Sequence, residues 1–224
     1  DIYLGVISKW NDPRIQTINP SLKLPNARII TIHRADGSGT TFNFTHYLTQ
    51  VSHTWKHKVN YSTAVSWPGR LNIGGKGNAG VASQVQSIPN SIGYVEYAYA
   101  ISNNMTQTRM LNANKKVITA NLKSFQAAAN NASWKSQNGF YQLLTNQPGA
   151  SSWPIVATTF ILMPNHKSYS TAQQKSIINT SIKFFKWSFE NGHNAAADLN
   201  YITMPKAVTK QVEQLWQQTY KIKT

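Results

Sequence analysis

Apolar residues recur along the chain in two spacings, and the alternation of these spacings predicts both strands and helices. The run Ala27 to His33 (ARIITIH) is rich in β-branched apolar residues, which is typical of a buried strand. The residues after Thr40 are apolar at i, i+3, i+4 and i+7, namely Phe44, Tyr47, Leu48 and Val51. This spacing predicts an amphipathic helix that begins near Ser38.

Similar patterns predict further elements along the chain. The expected helices are a short one from Pro13 to about Asn19, 79–86, 122–129, one that follows a capping box of Ser170 and Gln173 and ends at Gly192, and one that opens at Pro205. The expected strands are 92–98 and 155–163, and residues 52–78 are expected to be rich in loops. Strands that alternate with helices indicate an α/β fold. A shift in composition at Trp153-Pro154 predicts one nearly complete α/β lobe over 1–153 and part of a second lobe over 154–224.

The stretch His33 to Thr41 (HRADGSGTT) joins a predicted strand to a predicted helix and has the composition of an anion-binding loop. Ser38, Gly39 and Thr40 lie at the helix N-terminus, where unpaired N–H donors and the helix dipole favour an anion. Arg34 adds a fork of charged donors that matches a tetrahedral oxyanion, and Asp36 is expected to pair with Arg34 and orient it. From the local pattern alone, an anion site and a polar loop with an N-cap serine are equally acceptable.

The composition restricts the class of protein. With 41% hydrophobic residues among 224, the chain is expected to be globular, and the absence of 18 consecutive apolar residues predicts no membrane span. The chain has no cysteine and therefore no thiolate metal site, and its N-terminus lacks the pattern of a signal peptide. The net charge is +15, but the basic residues are scattered, which favours a general attraction for anions over a specific nucleic-acid site.

Three other functions are weaker hypotheses. A hydrolase or phosphatase could use Ser38 as a nucleophile, but the only local base is His33, which on a strand faces away from Arg34. A metal site could use His53 and His57, which are four residues apart, yet no third ligand is near in sequence, so no metal is predicted. The charge could also give nonspecific, salt-sensitive binding of polyanions.

A glycine-rich run over 74–80 (GGKGNAG) superficially resembles a nucleotide-binding P-loop. That motif needs a glycine where Arg70 stands and a serine or threonine where Gly77 stands. Nucleotide binding at this run is therefore rejected.

Several runs carry a resemblance to a known family. In chain order they are DIYLG, KWNDP, INPSLKLP, HRADGSGTTF, GGKGNAGV, IGYVEYAYA and WPIVATTFIL. Together they resemble the phosphate-binding proteins of bacterial high-affinity phosphate ABC uptake systems, and the resemblance extends over nearly the whole chain.

The resemblance implies a type II periplasmic-binding-protein-like fold with two α/β lobes that close on phosphate. It implies that Arg34, Ser38, Gly39 and Thr40 bind the phosphate oxygens and that Asp36 holds the arginine. It further implies a monomeric periplasmic binding protein without enzymatic activity or cofactor, which delivers inorganic phosphate to ABC permease membrane subunits.

The chain departs from this family in one respect. Family members carry a long segment before the DIYLG-like run, which supplies part of one lobe and further ligands, including a carboxylate that accepts the proton of phosphate. With one lobe incomplete, the chain is expected to bind phosphate weakly and to discriminate poorly against sulfate.

Overall fold

The structure is a computed structural model, and it describes residues 1–164 and 171–220. The chain divides into two compact units, Asp1–Gln107 and Thr108–Thr224. The predicted change of lobe at 153/154 lies inside the second unit, and the assignment of segments to two lobes stays a prediction.

The first unit is built on a three-stranded parallel sheet. Its strands are β1 (Ile30–Arg34), β2 (Asn72–Gly75) and β3 (Ser91–Ile92), in the order β2-β1-β3. The central strand β1 pairs with β2 from Thr31 to Arg34 and with β3 at Ile30 and Thr31. Ile32 in the middle of β1 is fully buried. The buried, β-branched pattern of this run therefore reflects a strand with a neighbour on each side.

Helices connect and flank these strands. They are α1 (Pro13–Ile18), α2 (Gly39–Val51), α3 (His53–Lys58), α4 (Gly77–Ser87) and α5 (Tyr97–Ser102). The helices α2 and α3 lie between β1 and β2, and α4 lies between β2 and β3, so all three strands run in one direction. Their carboxyl ends consequently meet at one edge of the sheet, which is where open α/β sheets bind their ligands.

Helices account for most of the regular secondary structure of the second unit. It contains the two-residue antiparallel strands β4 (Met110–Leu111) and β5 (Val117–Ile118), a 3₁₀ turn over Ser136–Asn138, and the helices α6 (Leu122–Asn131), α7 (Ala172–Asn191), α8 (His193–Asp198) and α9 (Lys206–Tyr220). Ile178 and Ile182 of α7 pack against Trp216 of α9, and the Phe189 ring stacks on Trp216 with centroids 5.7 Å apart. The 3.6-residue period of apolar positions in both helices is explained by this contact.

Most of the predicted helices are confirmed. The helices expected near 13–19, after Ser38, at 79–86, at 122–129 and after Pro205 are present, and α7 ends next to Gly192 as expected. The strand expected over 27–33 is confirmed, although β1 is assigned only from Ile30. These elements share clear end signals, such as Pro13 in the first turn of α1 after the N-cap Asp12.

The predicted strand 92–98 is wrong beyond its first residue. Only Ser91 and Ile92 pair with β1, and α5 begins at Tyr97. The chain leaves the sheet at Gly93, where an added Cβ would lie 2.7 Å from a Val85 methyl carbon. The backbone is therefore directed by packing against α4 rather than by its own β propensity.

The predicted strand 155–163 is also wrong. This apolar run has no assigned strand, and within the part of the chain that the structure describes no segment pairs with it. Its residues Ile161 and Leu162 are 56% and 91% exposed. High β propensity does not make a strand without a hydrogen-bonding neighbour.

Two smaller predictions need correction. Residues 52–78 are rich in loop as expected, with no helix or strand over 59–71, but they also contain α3 and β2. The helix α3 begins after its N-cap Ser52 and buries Trp55 to 2% exposure. The capping box before α7 is formed by Thr171 and Gln174, one residue later than predicted, and Ser170 lies outside the described residues. Over 1–164 and 171–220, no helix is both long and apolar enough to cross a membrane.

Candidate functional site

Two loops meet at the carboxyl edge of the sheet, one after β1 and one after β2. The Ala35 N–H donates to the Gly75 carbonyl oxygen at 3.0 Å, which continues the β1–β2 pairing one residue beyond the strands. The Gly77 N–H donates to Asp36 Oδ1 at 3.0 Å. The glycine-rich run that sequence reasoning set aside therefore supports the loop that carries the predicted anion site.

Arg34 and Asp36 form the charged part of the site. Arg34 Nε donates to Asp36 Oδ1 at 2.9 Å, and an Arg34 terminal nitrogen donates to Asp36 Oδ2 at 2.5 Å. This two-point contact sets the plane of the guanidinium group. The Arg34 side chain is 11% exposed, and the Asp36 side chain is 37% exposed. The arginine is held largely out of water while its partner remains open to it.

The contact perturbs the protonation of both groups. The Arg34 hydrogen bonds, followed by the Gly77 N–H, hold the pKa of Asp36 well below its usual range. The Asp36 hydrogen bond in turn raises the pKa of Arg34. Asp36 is therefore a carboxylate and Arg34 a cation throughout the physiological pH range.

Ser38 is the N-cap of α2 and is 5% exposed. Its Oγ accepts the N–H groups of Thr40 at 3.1 Å and Thr41 at 3.3 Å. Its own N–H donates to the Thr63 carbonyl oxygen at 2.9 Å and is thus engaged elsewhere. The serine hydroxyl keeps its proton for donation, whereas the Ser38 amide is not a free donor.

Gly39 and Thr40 form the first turn of α2. Within the described part of the chain, the Gly39 N–H has no hydrogen-bond acceptor. Gly37 and Gly39 are exposed, and a Cβ added at either residue would meet no atom within 4 Å, so no neighbouring side chain covers the backbone here. The thirteen-residue helix adds the positive end of its dipole at this point. An anion can approach this backbone closely.

The five predicted site residues thus lie between the end of β1 and the first turn of α2, with Arg34 joined to Asp36 and Ser38 joined to Thr40. Their role in binding stays a prediction. The sequence reasoning missed two residues that hold this loop, Gly77 and Tyr94. The Tyr94 hydroxyl accepts the Arg34 N–H at 3.2 Å and lies 2.7 Å from Thr41 Oγ1. Nothing in the sequence near Tyr94 pointed to this contact, since its stretch was interpreted as a strand.

The hydrolase hypothesis finds no support in the position of His33. Its ring nitrogens lie 2.9 Å from the Arg34 carbonyl oxygen and 3.2 Å from Asn72 Oδ1, and the ring stacks on Trp67. A general base for Ser38 would need a ring nitrogen directed at the serine hydroxyl. His33 instead serves packing at the β1–β2 pair.

His53 and His57 do lie together on α3, with their Nε2 atoms 3.0 Å apart. However, over the residues that the structure describes, no group of three or more histidine, cysteine, aspartate or glutamate side chains could hold a metal ion. A stable zinc site in a protein takes at least three such ligands.

Comparison with known proteins links this geometry to a family. Residues 1–191 match the family described as PBP superfamily domain. The chain is 49% identical to the phosphate-binding protein PstS of Xylella fastidiosa (strain Temecula1) over 99% of this chain and 59% of that protein. It is 44% identical to phosphate-binding protein PstS of Haemophilus influenzae, over 96% and 63%, and 36% identical to that of Methanocaldococcus jannaschii, over 94% and 57%.

A solved structure shares the fold. It is that of a high-affinity periplasmic phosphate-binding protein, PfluDING, bound with phosphate, with a TM-score of 0.62 and 16% identity. The match covers 95% of this chain and 62% of that one. The chain therefore spans about three fifths of the length of the relatives it matches, for example 59% of the Xylella protein. The resemblance predicted from sequence is confirmed, and because the family match takes in residues 1–191, the chain belongs to the PBP superfamily and has a PBP-like α/β fold.

Proposed function

We propose that the chain binds inorganic phosphate at the loop between β1 and α2. In this proposal the Arg34 guanidinium, the Ser38 hydroxyl and the N–H groups of Gly39 and Thr40 donate to phosphate oxygens, and Asp36 orients the arginine. The observation that carries the proposal is a largely buried guanidinium, oriented by Asp36, that precedes the N-terminus of α2 by a few residues. The relatives that are named phosphate-binding proteins support the choice of anion.

The donors suit a tetrahedral oxyanion. Asp36 occupies Nε and one terminal nitrogen of Arg34, and among the described residues no other acceptor contacts that guanidinium. The remaining N–H groups of the fork are available for two oxygens of one ligand. The Gly39 N–H and the Ser38 hydroxyl provide neutral donors, which bind an anion without adding charge.

Thr40 has a different position in this scheme. Its N–H already donates to Ser38 Oγ at 3.1 Å, so it can contact phosphate only by sharing that hydrogen or by exchanging the cap for the ligand. We infer that the Thr40 amide is the weakest of the four proposed donors in the absence of phosphate.

The proposal also includes a wider role for the chain. The chain acts as a monomeric periplasmic binding protein, not as an enzyme, and it uses no cofactor. It passes phosphate to the membrane subunits of an ABC permease. The relatives named phosphate-binding protein support the binding role, and the periplasmic protein of similar fold supports the location.

The test is a titration of the chain with inorganic phosphate, followed by NMR of the backbone amides. We expect saturable shifts at Gly39 and Thr40, and we expect Arg34→Ala to weaken binding about ten- to a hundredfold, as loss of charge-assisted hydrogen bonds implies. Arg14→Ala is the matched control, because Arg14 makes the same kind of contact with Asp12, two residues away, at the start of α1. Its affinity for phosphate should equal that of the unaltered chain.

Two outcomes would contradict the proposal. If Arg34→Ala binds phosphate as the unaltered chain does, the loop between β1 and α2 is not the phosphate site. If Arg14→Ala and Arg34→Ala lose equal affinity, the binding comes from the net charge of +15 rather than from a site.

A parallel titration with sulfate tests the predicted selectivity. We expect weak phosphate binding and a sulfate affinity close to that for phosphate, because the donors described here do not distinguish a protonated from an ionised oxyanion. Tight binding with strong preference for phosphate would show that the described loop already contains the discriminating group.

A further inference from the structure

One side chain outside the predicted site, that of Tyr94, contacts both the strand that carries Arg34 and the first turn of α2. The Tyr94 hydroxyl accepts the backbone N–H of Arg34 at the end of β1, at 3.2 Å. The same oxygen lies 2.7 Å from the hydroxyl of Thr41 in the first turn of α2. The Thr41 N–H in turn donates to Ser38 Oγ at 3.3 Å. Tyr94 is therefore hydrogen-bonded to the Arg34 backbone and to the Thr41 side chain, and the Thr41 backbone is in turn hydrogen-bonded to the N-cap serine.

Packing holds the Tyr94 ring in place independently of its hydroxyl. The ring stacks on Phe44 of α2 with centroids 4.4 Å apart and planes 15° apart, and it lies 5.9 Å from the Trp67 ring. A change that removes the hydroxyl and keeps the ring should therefore leave this aromatic packing intact.

The preceding residue explains how the tyrosine reaches this position. A Cβ added at Gly93 would lie 2.7 Å from Val85 and 3.1 Å from Val81 of α4, and 3.4 Å from Ile32 of β1. Any larger residue here would force Val85 or the backbone to shift, so glycine allows the chain to pass closely between sheet and helix. Tyr94, which follows β3 in sequence, therefore lies next to the end of β1.

We propose that Tyr94 is a positioning residue of the anion site, whose hydroxyl holds the Arg34 backbone and the first turn of α2 at the spacing that one tetrahedral anion requires. This inference rests on the proposed binding of phosphate, and it assigns Tyr94 no contact with the ligand. Tyr94 raises the affinity for phosphate by keeping the guanidinium and the α2 amides directed at the same point. Because these donors are already ordered, less conformational entropy is lost when phosphate binds.

The protonation state of Tyr94 fits this role. Burial raises the pKa of its phenol. The charged groups around it are Arg34, which lowers that pKa, and Asp36, which raises it. At neutral pH the hydroxyl is therefore protonated, so that it can accept from Arg34 and still share a hydrogen bond with Thr41.

The test compares Tyr94→Phe with Tyr3→Phe in phosphate titrations of the full chain. Tyr3 is a matched control, because its ring belongs to the same aromatic group, 6.2 Å from Tyr94, while its hydroxyl donates to the Ile32 and Ile92 carbonyl oxygens and not to the anion loop. We expect Tyr94→Phe to bind phosphate about three- to tenfold more weakly, as the loss of one or two neutral hydrogen bonds implies. Tyr3→Phe should retain the affinity of the unaltered chain.

A spectroscopic readout separates positioning from a general loss of stability. In Tyr94→Phe the Arg34 backbone amide loses its acceptor, so its ¹H–¹⁵N signal should move upfield, whereas in Tyr3→Phe it should not. Thr41→Val provides a second route to the same contact. Its effect on affinity should not add to that of Tyr94→Phe, since both changes break one shared hydrogen bond.

The outcomes distinguish this inference from the proposed function. If the unaltered chain does not bind phosphate, the proposed function fails. If it binds and Tyr94→Phe binds equally well, or if Tyr3→Phe loses as much affinity, phosphate binding stands and the positioning role of Tyr94 is overturned.

Discussion

Replacement of Gly77 by alanine tests how the second glycine loop supports the site. Gly77 has φ +67°, and a Cβ added there would meet no atom within 4 Å, so the cost of alanine is the left-handed backbone alone. That cost is roughly 1–2 kcal/mol. For a chain of this size, about 2–4 °C of Tm is lost per kcal/mol, so a fall of roughly 2–8 °C is expected. Alanine retains the N–H that donates to Asp36, but a shift of the backbone away from positive φ would redirect that N–H, so phosphate affinity should fall together with stability.

Urea unfolding followed by tryptophan fluorescence measures the stability change, and phosphate titration measures the change in affinity. Gly37→Ala is the control, because Gly37 has no left-handed φ and equally open surroundings, and its stability should change by less than about 0.5 kcal/mol. Gly75→Ala should be more destabilising than Gly77→Ala or Gly37→Ala, since the added Cβ would lie 2.6 Å from the Val81 nitrogen. If Gly77→Ala and Gly37→Ala unfold at the same urea concentration, the explanation from backbone conformation is refuted.

Two further predictions concern the cap of α2 and the buried phenols. Ser38→Ala and Ser52→Ala each remove an N-cap, so each should lower the free energy of unfolding in urea by about 1 kcal/mol. Only Ser38→Ala should also weaken phosphate binding. If both variants bind phosphate with equal affinity, the Ser38 hydroxyl is excluded as a donor. Burial raises the pKa of Tyr3 and of Tyr94, so the folded chain keeps phenolic protons that the unfolded chain releases near pH 10. The contribution of these two groups to stability should be constant below about pH 10 and fall above it, and ultraviolet titration that showed both phenols ionising normally in the folded chain would contradict this.

Local sequence was sufficient where the controlling interaction spans only a few residues. The start of α2 follows from Ser38, whose side chain accepts N–H groups two and three residues on. The Arg34–Asp36 contact likewise joins side chains two residues apart. Both were predictable because capping and short-range ion pairs depend on residue type and spacing. The same holds for the apolar period of α7 and α9, which predicts a buried face without saying what covers it.

Local sequence failed where pairing or packing with a distant segment decides the backbone. The run 155–163 has strong β propensity but no paired neighbour in the described chain, and 92–98 leaves the sheet because Gly93 passes against α4. A strand is defined by its hydrogen-bonding partner, and a single sequence does not identify that partner.

The anion-binding loop shows most clearly which features follow from local sequence and which depend on the tertiary structure. Its donors and its helix cap can be read from HRADGSGTT, since they lie within one short segment. Its supports cannot, because Tyr94 is 60 residues from Arg34 and Gly77 is 41 residues from Asp36. They reach the loop only because three parallel strands end at one edge of a sheet, so their following loops meet there. Residue chemistry is local, whereas the orientation of that chemistry depends on contacts that exist only after the sheet has formed.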